Sequence, residues 1–369
     1  TLPSSASAGD QIILADYARN WATNAITIDS NGLLFQGETD AFIVDYDTNG
    51  QAVNLVYSGA TVGWTPASDI VSAFEPVAPT IQRAIFAFGF TSSNVSMSNL
   101  VSSSGVVGSD VTGVGTARHY LAAVSYGGDK AIFGYGENAS GYVSMTNLVN
   151  NSGVVAADVS GVGTARTGLA AASYGGDKAI FGYGQIDGGA KSSLTNLVGN
   201  TGTVASDVSG VGTARAYLAA ASYGGDKAIF GYGETGSYVS MTNLVNNSGV
   251  VAADVTGVGT ARRLLAAAGY GEDKAIFGYG QSSGGYVSMT NLVNSSGVVG
   301  SDVSGVGTAR RLLAAASYGG DKAIFGYGFT GSNVSMSNLV NNSGVVAADV
   351  TGVGTARYAL GAAGYSYSA

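Results

Sequence analysis

One histidine, His119, and no cysteine stand among 369 residues. That inventory excludes a multi-histidine zinc cage and a Cys–His nucleophile pair. One G-x-S-x-G string occurs, at 280–284, but no helical stripe follows it as a nucleophile elbow requires, so it offers His119 no elbow serine. Sugar hydrolysis needs two carboxylates about 5–10 Å apart. Glu137, Asp187 and Glu234 sit in equivalent loops of successive repeats, which a ring of repeats would space widely. Strings such as "GVGTAR" mimic a phosphate loop, but lack the Lys-Ser/Thr ending and a following helix. The chain is therefore expected to be no enzyme and to need no cofactor or metal, with glycan depolymerisation as the catalytic alternative. The chemistry it offers is recognition. The variable positions of its repeats carry His119, Tyr120, Tyr142, Lys191, Tyr217, Tyr238, Arg263, Tyr286, Arg311 and Tyr358. Glu137, Gln185, Asp187, Glu234 and Gln281 stand beside them. A tyrosine ring gives a flat apolar face with a polar tip at low entropic cost. Among amide, carboxylate and guanidinium groups, such rings suit sugars.

The elements that must position these residues are repeats. "SYGGDKAIFGYG" at 125–136 returns at 173–184, 222–233 and 317–328. "TAR" ends at Arg118, Arg166, Arg215, Arg262, Arg310 and Arg357, 47 to 49 residues apart. Each repeat holds four strand-like pieces, for example "LAAASY", "KAIFGYG", "SLTNLV" and "TVASDVSGV", joined by Gly- and Asn-rich turns. Four strands in about 48 residues is the length of a propeller blade. The first repeat, "IQRAIFAFG", lacks its opening strand, and the chain ends in "LGAAGYSYSA", which looks like the missing piece. The expected fold is an all-β, six-bladed propeller over 81–369, sealed by the C-terminal strand. Small residues place the first strand innermost. By the two-residue period of a strand, Phe133 and Tyr135 share one face of "KAIFGYG" and Ile132 takes the other. An Asp stands eight residues before each repeated Arg (Asp110, Asp158, Asp207, Asp254, Asp302, Asp349). One acid per arginine implies six structural ion pairs tying each fourth strand to the next blade.

"TARTGLAAASYGGDKAIFGYG" resembles the kelch repeat: an Arg, a small-residue strand, a turn, then an apolar strand ending in glycines. Gly-Tyr-Gly replaces the usual glycine pair, and the late tryptophan is missing. The resemblance implies a kelch-like propeller.

Residues 1–65 differ in kind. Leu2, Pro3, Gly9, Asp10, Asp16, Asn20, Trp21, Asn24, Ile28, Asn31, Gly32, Tyr57, Gly59, Gly63 and Trp64 resemble a β-rich module of bacteriophage tail fibres. That resemblance implies a virion fibre, trimeric about its long axis, and hence an extracellular location on the virion tail. The stretch 66–80, with three of the four prolines, is expected to be a semi-rigid linker. Residues 1–80 carry nine acids and one base, the remainder fifteen of each. No basic face implies a nucleic-acid partner, and no apolar run reaches membrane-spanning length. The expected partner is a host surface glycan or lipopolysaccharide, read by one rim of the propeller. A structural spacer or protein-docking platform of the virion is the alternative.

Overall fold

The computed structural model describes residues 1–38, 44–71 and 81–367. Among them there is no α-helix, only the short 3-10 turn Asp187–Gly189, and the chain is all-β with many small antiparallel sheets. It divides into two compact units, Thr1–Pro79 and Thr80–Ala369.

In the first unit, β1 (Gln11–Ala15), β4 (Gln51–Tyr57) and β5 (Trp64–Val71) form one sheet with β4 central. The hairpin of β2 (Ile26–Ile28) and β3 (Val44–Tyr46) forms another. Strict alternation along β4 buries Gln51, Val53, Leu55 and Tyr57. The last three join Leu2, Ile28, Phe35, Tyr46 and Trp64 in the core. Asp16 is buried and accepts N–H bonds from Asn20, Trp21 and Gly50 at 2.9–3.0 Å. Burial opposes its ionisation, but these three donors and nearby Arg19 hold its carboxyl below the ordinary value. Leu2, Asp16, Ile28, Tyr57 and Trp64, all residues of the fibre-like pattern, thus make this unit's core and clasp. Pro66 lies within β5, so the start of the 66–80 stretch is strand; residues 72–80 lie outside the described residues.

The second unit holds six three-stranded sheets of one design. In the second of them, Ala122–Tyr126 pairs with Lys130–Gly134, which pairs with Thr146–Val149. The first sheet takes its inner strand from the far end of the chain. Gly361–Tyr367 pairs with Ile81–Ala87 in seven-residue register, and Ile81–Ala87 pairs with Ser98–Val101. Two sets of backbone bonds join neighbouring sheets. Gly127 N donates to Asp177 O, and the same bond recurs from Gly175, Gly224 and Gly271 into the next sheet. Gly319 N donates to Gln82 O and Ser366 N to Asp129 O. At the other end of the inner strands, Gly168 N donates to Tyr120 O, Tyr217 N to Gly168 O, Leu264 N to Tyr217 O, Leu312 N to Leu264 O, Ala359 N to Leu312 O and Tyr120 N to Ala359 O. These six bonds form a cycle.

Three expectations are corrected. The fourth piece of each repeat is not a strand. It is held by two isolated bridges, Val149↔Val155 and Thr146↔Val159 in the second sheet. Two residues separate them on the inner side and three on the outer, which is a bulge. The Asn147 amide fills it by donating to Ala156 O at 3.0 Å. Second, Tyr135 does not share a face with Phe133. Its φ is +63°, in the left-handed region, so the two-residue alternation breaks at Gly134. Tyr135 packs with Ile132 against Phe181 of the next sheet, while Phe133 packs with Phe88 of the preceding one.

Third, each arginine meets the aspartate of the following repeat, not the one eight residues before it. Arg118 lies 3.9 Å from Asp158, and Arg357 lies in the field of Asp110. The reason is the loop between. Asp158 accepts the N–H and hydroxyl of Thr116 at 2.7–3.1 Å and the Asn147 amide at 2.9 Å, and so clasps the incoming "GTAR" segment. Arg118, fully buried, donates Nε to Tyr135 O at 2.9 Å and stacks 4.3 Å over the Phe88 ring. All six arginines stack in this way on an aromatic ring of the preceding sheet, Arg357 on Tyr327. They join sheets together and are closed to any ligand.

Candidate functional site

The residue after each buried arginine bridges the first residue of the link that leaves the same sheet's second strand. The pairs are Tyr358↔Phe90, His119↔Glu137, Thr167↔Gln185, Ala216↔Glu234, Arg263↔Gln281 and Arg311↔Phe329. These positions vary among near-identical repeats, and the backbone places all twelve at one end of the inner strands. The next residue in each repeat belongs to the hydrogen-bonded cycle. There φ is +52° to +61° at Tyr120, Gly168, Tyr217, Leu264, Leu312 and Ala359. Leu264, Leu312 and Ala359 form an apolar floor, with Tyr120, Tyr217, Phe329 and Tyr358 packed against it. The floor lies in a depression of about 80 Å³. Ligand pockets commonly enclose about 300–1,000 Å³, so this one seats a side group at most, and a larger ligand must lie across the rim.

All ten predicted residues come to this region, each half-buried. An aromatic run passes from Tyr286 to Phe329, Tyr358, Phe90, His119, Tyr120 and Tyr217, with successive ring centroids 4.7–6.4 Å apart. Gly168 makes room for its last member. A Cβ there would stand 2.8 Å from the Tyr217 ring, so this ring occupies the place of a side chain that the third repeat does not carry.

The remaining residues form a polar arc. Lys191 Nζ lies 2.8 Å from Gln185 Oε1, 3.7 Å from Glu234 Oε1 and 5.1 Å above the Tyr217 ring. Arg263 Nη1 bonds Glu234 Oε2, and its guanidinium lies 5.0 Å over Tyr238. Arg311 Nη1 donates to Gln281 Oε1 at 2.6 Å and stacks on Tyr286 at 4.9 Å and Phe329 at 5.6 Å. Tyr142 accepts from Gln185 Nε2 at 3.0 Å. Tyr286 also lines a flank groove of about 450 Å³ with Ser288, Met289 and Asp302.

Burial pushes the Tyr120 hydroxyl up to about 12, helped by Tyr217 and Tyr358 and opposed by Arg311, so it remains a donor. Burial holds His119 below its ordinary value, against the pull of Glu137, so it is neutral at pH 7. Sequence reasoning passed over Phe90 and Phe329. They occupy the same variable position as Glu137, Gln185, Glu234 and Gln281, and that position is the signal that could have found them.

In comparison with known proteins, the chain matches no family model and no curated protein.

Proposed function

We propose that the six sheets are the blades of a kelch-like β-propeller, and that the chain is the receptor-binding distal part of a phage tail fibre. The two sets of inter-sheet bonds and the pairing of Gly361–Tyr367 with Ile81–Ala87 support the propeller. The observation that carries recognition is the gathering of the variable side chains at one end of the sheets, while the repeated arginines and the aromatic residues they stack on are buried between sheets. The ligand is a host surface glycan lying across that rim, its apolar faces on the aromatic run and its hydroxyls on the polar arc. The fibre-like pattern of residues 1–65 supports a trimer on the virion tail, which would multiply weak single sites through avidity.

The test is binding of the full chain to host cells before and after periodate oxidation of surface sugars. Periodate-sensitive binding is the expected result. Binding that survives periodate but not protease would replace the glycan with a protein. The near-identity of the repeats favours a second reading, a spacer or docking platform within the virion. Capture of a virion protein with no binding to cells would establish it.

A further inference from the structure

The polar arc is not balanced in charge. Lys191 and Arg263 share one carboxylate, Glu234. Arg311 has no carboxylate within ion-pair distance among the described residues, and its hydrogen-bond partner is the neutral Gln281. Three cations against one anion therefore stand on consecutive sheets. The other acids of this region are engaged or set apart: Glu137 bridges His119 three sheets from Gln281, Asp187 is exposed in its own 3-10 turn, and Asp302, beside Tyr286 in the flank groove, is held by Thr260 and Asn291. Arg311 is held against Tyr286 and Phe329. Stacking leaves the edge of a guanidinium, where its donors lie, to meet an oxyanion; in Arg311 Nη1 is given to Gln281 and Nε is buried, which leaves Nη2 for that role. From Phe329 the surface continues, uncharged, into Tyr358 and Phe90.

Building on the glycan reading above, we propose that the ligand is an anionic saccharide. Arg311, with Arg263 beside it, takes a carboxylate or phosphate group, and Phe329, Tyr358 and Phe90 carry the apolar face of the adjoining sugar ring. Charge alone would bind any polyanion, and aromatic rings alone would bind any pyranose. The two side by side select an acidic sugar.

The experiment measures retention of the full chain on immobilised polygalacturonate, phosphomannan and neutral dextran, at low and physiological salt. The first two distinguish carboxylate from phosphate. One or both should bind more tightly than dextran, and binding should weaken with salt. Arg311→Gln should lower that affinity about ten-fold or more, as expected for loss of a charge-assisted bond. Arg311→Lys should restore part of it by keeping the charge without the planar fork; it also serves as the second variant should Arg311→Gln unfold. Polyacrylate should compete poorly, because it has no ring to stack. Equal binding to dextran, unchanged affinity in both variants, or full competition by polyacrylate would overturn the inference. Periodate-sensitive cell binding alongside any of these results would leave the glycan reading standing and remove only the anion. Loss of cell binding as well would remove both.

Discussion

At the scale of single residues, Gly-Tyr-Gly decides how neighbouring sheets meet. Gly134 has no side chain because the Phe181 ring of the next sheet occupies that space; a Cβ would stand 2.7 Å from its Cζ. Tyr135 then turns to positive φ, where its ring packs beside Phe181 and under Arg166, and its carbonyl accepts Arg118 Nε. A non-glycine residue held at positive φ costs roughly 1–2 kcal/mol, so six sheets tolerate a strain that the stacked arginine and ring offset. Gly134→Ala should destabilise the second unit by about 1–3 kcal/mol through overpacking. Denaturant unfolding would measure it, and an unchanged midpoint would show that the Phe181 ring can move aside. None of this is legible from a two-residue period, which puts Tyr135 on the wrong face. The left-handed turn depends on a ring in another sheet, and local alternation does not report that.

At the scale of elements, the weak part of each sheet is its outer piece. Two bridges and a bulge hold it, and the aspartate–threonine clasp secures it to the loop that feeds the inner strand. The six clasp carboxylates are alike. Burial opposes their charge, but threonine, asparagine and arginine outweigh it and lower each below 3.8. A carboxylate with a depressed folded value stabilises above its unfolded value and loses that contribution as pH falls through the folded one. The second unit should therefore lose stability steeply below about pH 4, six groups titrating together. Asp158→Asn should cost about 1–2 kcal/mol at pH 7, discounted for partial exposure, and should make the acid dependence shallower. Melting temperature against pH for both proteins checks this; parallel curves would contradict it. One acid per arginine was readable from the repeat. Its partner was not, because the pairing follows the chain's path between sheets rather than distance along the sequence.

For the whole molecule, the pairing of the two chain-distant half-repeats was the most legible feature. The half-repeat at "IQRAIFAFG" and the matching half at "LGAAGYSYSA" announced the pairing that joins Ile81–Ala87 to Gly361–Tyr367. The variable positions were legible too, since near-copies within one chain mark the residues that differ. How their side chains engage one another was not: Arg263 and Arg311 each reach to the link of the preceding sheet, a contact set by how neighbouring sheets pack. Ending the chain at residue 360 should leave the backbone N–H and C=O groups along one edge of Ile81–Ala87 unpaired. Such edges recruit other chains. The shortened protein should associate and lose its cooperative unfolding transition, as sedimentation and calorimetry would show. A monodisperse truncate with the original melting profile would contradict this.

That pairing also puts a clock on biosynthesis. Ile81–Ala87 leaves the ribosome about 280 residues before its partner does, which at about 5–20 residues per second is a wait on the order of tens of seconds. Throughout it, a strand that ends up paired along both edges keeps one edge open to every other nascent copy on the same message. Strand swapping between sister chains is therefore expected on crowded polysomes.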